Sequence, residues 1–266
     1  MILDAFRLNG QVALVTGVGS GIGQAITLAL AEAGADIVGI YRSHVEETQV
    51  RVEALGRRFV PLRADLATAD AADCRELVEQ ACSALGRLDI LVYNAGQVYR
   101  GPVLEVPEEA WERILRVNLT SAFFMCQAAA QHFLTEAHTE LRRREGHASR
   151  GKILVTASMM SFQGGVRVAP YTASKSGLAG MVRAMANELA PLGIHINAIA
   201  PGYIQTPLTE ALWQDPERYR AILERIPAGR WGKPDDLKGA AVFLASAASD
   251  YCHGTILAVD GGWLCR

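Results

Sequence analysis

A single α/β unit covering residues 1–266, with one parallel sheet of seven strands doubly wound between two layers of helices, is predicted by three observations. An amphipathic run, a glycine and a short apolar run recur in LAEAGADIVGI, VEALGRRFVPL, CSALGRLDILV and LAPLGIHINAI. A cluster of glycines follows the first apolar run, and no Pro/Gly/Ser-rich linker divides the chain.

Each repeated phrase is one return from helix to strand. Gly34, Gly56, Gly86 and Gly193 suit the left-handed position just past a helix C-terminus. The apolar runs that follow suit strands covered on both faces. Strands are expected near Val12 to Thr16, Asp36 to Ile40, Phe59 to Arg63, Ile90 to Tyr93, Lys152 to Ala157, His195 to Ala200 and Thr255 to Val259. Long helices are expected around Glu108 to Leu134 and Tyr171 to Leu189. The segment Thr135 to Gly151 reads as a charged connection, with Arg142, Arg143 and Arg144 on a solvated helix extension or facing an anionic partner. Alternation of strand and helix with crossover connections makes this a Rossmann-type sheet.

Composition sets limits on function. The chain has 266 residues, 50% of them hydrophobic, enough for a full core. A net charge of -2 gives no global attraction to nucleic acid or an anionic membrane, so a small-molecule ligand is expected. Five cysteines are scattered without a C-x-x-C pair, which predicts reduced thiols and no metal centre. MILDAFRLNG has the pattern of neither a signal nor a transit peptide, and no run reaches the roughly 20 apolar residues of a membrane span. A soluble cytoplasmic protein is expected.

The glycine cluster TGVGSGIG suits a dinucleotide. Gly17, Gly21 and Gly23, with Ser20 and Ile22 between them, allow a tight turn, close backbone approach to a pyrophosphate, and a helix N-terminus aimed at the anion. Asn94, Ala95 and Gly96 leave the fourth strand beside the adenosine half. Asp65, followed by Leu66, either accepts from an adenine amino group or caps a helix. The carboxylate that usually binds the ribose of NAD at the end of the second strand is missing; Tyr41, Arg42 and Ser43 stand there. Arg42 or Ser43 meets a 2′-phosphate, favouring NADP(H) over NAD(H), or Arg42 is a free surface arginine.

Tyr171 and Lys175 are spaced i and i+4, one above the other on a helix. An ammonium near a phenol favours the phenolate, and moving a tyrosine from about 10 to about 7 requires roughly 4 kcal/mol. Lys175 together with the positive nicotinamide is expected to supply it. Ser158, at the end of the fifth strand, sits where strand ends border the ligand crevice and is expected to orient the substrate oxygen.

TGVGSGIG, YNAG, Asn118 in RVNLT, Ser158, YTASK and APGYIQT, in this order and spacing, resemble the short-chain dehydrogenase/reductase family over essentially the whole chain. The resemblance implies Tyr171 as acid/base and Lys175 as the group that lowers its pKa and holds the nicotinamide ribose. It implies Ser158 as substrate-orienting hydroxyl and Asn118 as the support of a water in a proton relay. Pro201, Gly202 and Ile204 are expected along the nicotinamide pocket, with Thr206 reaching the carboxamide or pyrophosphate. Tyr93 stands where the family often has a further asparagine. Several segments, SMMSFQGGVRVAPYTASKSG among them, resemble sugar-acid dehydrogenases, implying a small sugar acid such as 2-dehydro-3-deoxy-D-gluconate as substrate. That group is usually NAD-linked, so both cofactors stay in view. The family also implies a homotetramer.

A sugar acid needs a cation for its carboxylate, and Arg100 or Arg167, with Gln163, are candidates where surface solvation is the alternative. Thr209 to Gly232 is expected to form a mobile lid, with Trp213 as an apolar wall. Two other readings share the fold. A 3-oxoacyl-carrier-protein reductase would use the same tyrosine on an acyl chain. A non-catalytic dinucleotide sensor would not need the Ser158–Tyr171–Lys175 set.

Overall fold

The computed structural model describes Met1–Arg266 and contains one seven-stranded sheet in the order β3-β2-β1-β4-β5-β6-β7, every pair parallel. The strands are β1 Val12–Thr16, β2 Asp36–Tyr41, β3 Phe59–Arg63, β4 Ile90–Tyr93, β5 Gly151–Thr156, β6 Ile194–Pro201 and β7 Ile256–Val259. Strand order reverses between β1 and β4, which opens a crevice at their carboxyl ends. Gly34, Gly56, Gly86 and Gly193 all have positive φ, as a helix-to-strand return requires.

The helices are α1 Gly21–Glu32, α2 Glu46–Ala54, α3 Ala71–Leu85, α4 Glu108–Leu115, α5 Ser121–Phe133, α6 Glu136–Arg144, α7 Ala169–Leu189, α8 Glu210–Trp213, α9 Pro216–Leu223 and α10 Lys238–Ala245. One face of the sheet carries α3, α5 and α7 over Leu14, Leu91 and Ile153. The other carries α1 and α10 over Ala13, Ile37 and Leu154. Each buried leucine or isoleucine contributes about 1.5–3 kcal/mol, so the strands are held from both sides. A third cluster, Met159, Met160, Ile222, Ile226, Trp231 and Trp263, anchors α9 and the C-terminal turn beside the crevice.

Two expectations are corrected. The helix expected over Glu108 to Leu134 is interrupted by a π turn, Arg116–Thr120, between α4 and α5. The wider turn carries Asn118 inward, where it is fully buried. The charged Thr135 to Gly151 segment forms its own helix, α6, capped by Thr135. Its three arginines part company: Arg143 and Arg144 are exposed on Glu140, but Arg142 is 4% exposed. Arg142 bonds to Asp89 (3.2 Å), Gln11 (3.2 Å) and the Ser149 carbonyl (3.0 Å) at the amino end of the sheet.

Candidate active site

The crevice is a cavity of about 390 Å³. Gly17, Ser20, Gly21, Ile22 and Gly23 form its floor, between β1 and α1. Gly17 and Gly21 have φ of 73° and 57°. A Cβ at Gly23 would strike the Gly17 carbonyl, and one at Gly19 would strike the His44 carbonyl. Backbone therefore fills the place a side chain would need, which is the shape a pyrophosphate cradle requires.

Hydroxyls at the ends of strands tie the loops around this cradle. The Thr16 hydroxyl accepts from the Asn94 and Ala95 amides (3.0 and 2.9 Å), and the Thr156 hydroxyl donates to Asn94 Oδ1 (3.1 Å). Asn94 Nδ2 in turn donates to the Thr16 carbonyl at 3.3 Å. Tyr41, Arg42, Asp65 and Leu66 line one end of the cavity, with Ser43 and His44 beside them. Asp65 does not cap a helix. Its Oδ1 accepts from the Ala67 amide at 2.9 Å within its own loop, and Asp70 caps α3.

The other end is lined by Ser158, Tyr171, Lys175, Pro201, Gly202, Ile204 and Thr206, with Asn94, Ala95 and Gly96 between the two ends. Tyr171 lies in the first turn of α7, Lys175 one turn later, and Ser158 two residues beyond β5. The Ser158 hydroxyl accepts from the Met160 amide (3.1 Å) and stands near enough to the Tyr171 phenol to favour its ionised form. Lys175 Nζ lies 5.8 Å from the centre of the Tyr171 ring and donates to the Thr156 carbonyl at 2.6 Å. It has no carboxylate partner. Burial pushes the Lys175 ammonium down to about 8.

The phenol runs against expectation. Packing around it pushes Tyr171 above its ordinary value, opposed first by the Ser158 hydroxyl and then by the Arg100 charge. The Lys175 ammonium is hydrogen-bonded to the Thr156 carbonyl and not to the phenol. The chain by itself holds the phenol protonated.

Asn118 lies behind the cavity wall. Its Oδ1 accepts from the Gln97 amide (2.8 Å), while Nδ2 donates to the Gln97 carbonyl (2.9 Å) and the Ser174 hydroxyl (3.0 Å). Both amide protons are thus spent on fixing the loop after β4 against α7.

Arg100, Gln163, Arg167 and Trp213 stand outside the cavity wall. Arg100 donates to the Leu208 carbonyl (3.0 Å), and its charge bears on Tyr171 and Tyr203. Gln163 accepts from Arg225 at 3.4 Å, and the Arg225 guanidinium stacks 4.0 Å from the Trp263 ring. Arg167 is exposed with φ of 64°, and only its carbonyl is engaged, by the Gly101 amide. Trp213 Nε1 donates to the Thr206 carbonyl (3.3 Å). Sequence reading missed Thr16, Thr156, Gln97 and Arg225. The first two had a signal, since each is a hydroxyl at the carboxyl end of a strand facing the switch point. Arg225 had none, because its partner Trp263 is remote in the chain.

Three comparisons bear on this site. A family model described as Enoyl-(Acyl carrier protein) reductase matches residues 17–264. The chain is 52% identical to the 2-dehydro-3-deoxy-D-gluconate 5-dehydrogenase of Escherichia coli (strain K12) and 50% identical to that of Dickeya dadantii (strain 3937), each over 100% of both chains. It is also similar to the crystal structure of a gluconate 5-dehydrogenase from Burkholderia cenocepacia J2315 in complex with NADP and tartrate. There the TM-score is 0.89, with 38% identity over 100% of each chain.

Proposed function

The chain belongs to the short-chain dehydrogenase/reductase family, NAD(P)-dependent oxidoreductases, and from that premise we propose that it oxidises a secondary alcohol of a small sugar acid, 2-dehydro-3-deoxy-D-gluconate being the leading candidate. One observation carries the reading: Ser158, Tyr171 and Lys175 line the same cavity whose floor is the glycine cradle. The two relatives that match over the full length supply the substrate class.

The cradle fits a dinucleotide, since Gly17 and Gly21 line the cavity in left-handed backbone conformations and bring the N-terminus of α1 to its floor without an intervening side chain. When bound, the nicotinamide accepts the hydride in oxidation or donates it in reduction. Gly17, Ser20, Gly21, Ile22 and Gly23 hold the pyrophosphate, Asp65 and Leu66 the adenine side, and Asn94, Ala95 and Gly96 the middle. Pro201, Gly202, Ile204 and Thr206 border the nicotinamide end, and Lys175 holds the ribose there. Tyr171 Oη and Ser158 Oγ bind the substrate oxygen. Tyr171 then takes the proton from the alcohol at Oη, general base catalysis worth roughly 10²–10⁴-fold. Packing raises the phenol, and the positive charges of Lys175 and of a bound oxidised nicotinamide would act against that rise. Asn118 supports this arrangement from behind.

NADP(H) is the preferred cofactor. No carboxylate occupies the end of β2, Arg42 lines the cavity there, and the Burkholderia relative was crystallised with NADP. Arg100, close enough to bear on Tyr171, is the first candidate for the substrate carboxylate, and Arg225 with Gln163 extends the cationic rim. The whole chain acts as one domain in the cytoplasm. No helix is long and apolar enough to cross a membrane. A homotetramer is supported by Trp111 on α4 and Phe123 on α5, which are exposed. Light scattering of the purified protein tests that assembly.

Steady-state turnover of 2-dehydro-3-deoxy-D-gluconate, gluconate and an acyl thioester with each cofactor decides the reading. Reduction of cofactor by the sugar acid supports it, and turnover confined to the acyl thioester, or none at all, overturns it. In the same assay Arg42→Ala is expected to lower kcat/KM for NADP about tenfold, the loss of one charge-assisted contact, and to leave NAD unaffected.

A further inference from the structure

Tyr93 is the residue where this chain leaves the family's usual asparagine, and its side chain has a place in the fold. It ends β4, is 1% exposed, and its hydroxyl donates to the Val117 carbonyl at 2.5 Å. Val117 lies in the π turn, immediately before Asn118. In a continuous α-helix the Ser121 amide would bond to Val117, but here it bonds to Arg116. The Tyr93 hydroxyl takes the partnership that the π register removes from Val117.

Ser121 secures the far side of the same turn. Its buried hydroxyl donates to the carbonyl of Leu66 (2.9 Å), a residue of the cofactor cavity. The two hydroxyls thus tie the π turn to β4 on one side and to the loop after β3 on the other. What the turn presents is Asn118, which in turn holds Gln97 and the Ser174 hydroxyl, and Ser174 donates to the Tyr171 carbonyl at 2.7 Å.

We propose that Tyr93 and Ser121 are positioning residues for hydride transfer, acting through the π turn and Asn118 on the register of the loop after β4 against the helix that carries Tyr171 and Lys175. The inference rests on the reading of Tyr171 as the base and Asn118 as its support. An α-helical turn and a π turn differ by a whole residue, so release of the clamp displaces Asn118 as a unit. The cavity floor that binds the dinucleotide is built from β1 and α1 and is left in place.

The test is a double-mutant cycle. Tyr93→Phe keeps the ring and removes the hydroxyl; it is expected to lower kcat about tenfold, as loss of a well-positioned group does, with KM for the cofactor within about twofold of wild type. On an Asn118→Ala background the same change is expected to lower kcat by less than about twofold, because residues acting through one another are not additive. A clamp that served stability alone would lower the melting temperature equally in both backgrounds without this non-additivity in kcat. Wild-type kcat in Tyr93→Phe beside an impaired Asn118→Ala overturns the inference and leaves the catalytic reading standing. Wild-type kcat in Asn118→Ala removes both. Full multiplication of the two effects also overturns the inference. If Tyr93→Phe fails to fold, Ser121→Ala carries the test: about a threefold loss of kcat at saturating cofactor supports the clamp, and wild-type kcat refutes it.

Discussion

Lys175 and Lys152 are buried to the same degree, 4% and 3% exposed, at opposite ends of the sheet. Lys152, at the amino end of β5, pairs with Asp250 at 2.6 Å. Lys175, beside the carboxyl end of the same strand, has only the Thr156 carbonyl. The amino end continues as a matched network, in which Asp89, fully buried, receives Arg87 at 2.8 Å and Arg142 at 3.2 Å. Charge at one end is neutralised within the chain. At the other end it is left open, and an open buried charge is poised for a ligand or a reaction rather than for stability.

The largest effect expected of this contrast is at Tyr171. Tyr171→Phe should lower kcat about a thousandfold, the middle of the range for losing a general base, while calorimetric cofactor affinity changes less than about threefold. A variant with a tenth or more of wild-type kcat would break the assignment of the carboxyl end to proton transfer.

Stability should respond in the opposite place. Asp89→Ala strands Arg142 without its carboxylate and should cost about 3–5 kcal/mol in chemical denaturation, with kcat per folded molecule unchanged. A loss below about 1 kcal/mol would show that the amino-end network contributes little.

The lysines sharpen the comparison directly. Lys175→Met should abolish most turnover yet leave stability equal to wild type or raise it by about 1 kcal/mol, since an uncompensated charge is replaced by an apolar side chain. Lys152→Met should do the reverse, lowering stability by about 1 kcal/mol by unpairing Asp250, with wild-type kcat. Matching stability losses in both would erase the distinction.

Acid gives the smallest and most gradual effect. Burial, with the Lys152 charge second, pushes His195 down to about 4, and its ring stacks 4.2 Å from that of His253. The unfolded chain takes up this proton near 6.5, whereas the native chain resists it until about 4. Stability from this group is therefore present above 6.5 and is lost as pH falls through that window, by up to about 3 kcal/mol. His195→Gln should flatten the decline between those values in pH-dependent melting, and an unchanged slope would exclude His195 as its source.

Much of this was legible in the chain. Glycines placed four helix-to-strand returns correctly, and runs of apolar residues located all seven strands within one or two residues. The cavity brings together the glycine loop, the two strand ends at Tyr41 and Asp65, and Ser158, Tyr171 and Lys175, as spacing and family pattern had indicated. Arg142 was not legible, because three consecutive arginines carry no mark of which one the helix turns inward. Nor was the π turn, since RVNLT has the composition of ordinary helix and its wider register depends on a hydroxyl from β4.

Local information, then, determined the architecture and which side chains face the crevice, because hydrophobic period, left-handed glycines and an i, i+4 pair all act within a few residues. Tertiary structure alone decided the electrostatics. Whether Lys175 faces Tyr171 or Thr156, whether Arg142 meets Asp89, and whether Tyr93 reaches Val117 depend on atoms brought together from distant parts of the chain. The energies of charges and buried hydrogen bonds vary with distance and solvent exposure, and neither is defined until the sheet has assembled.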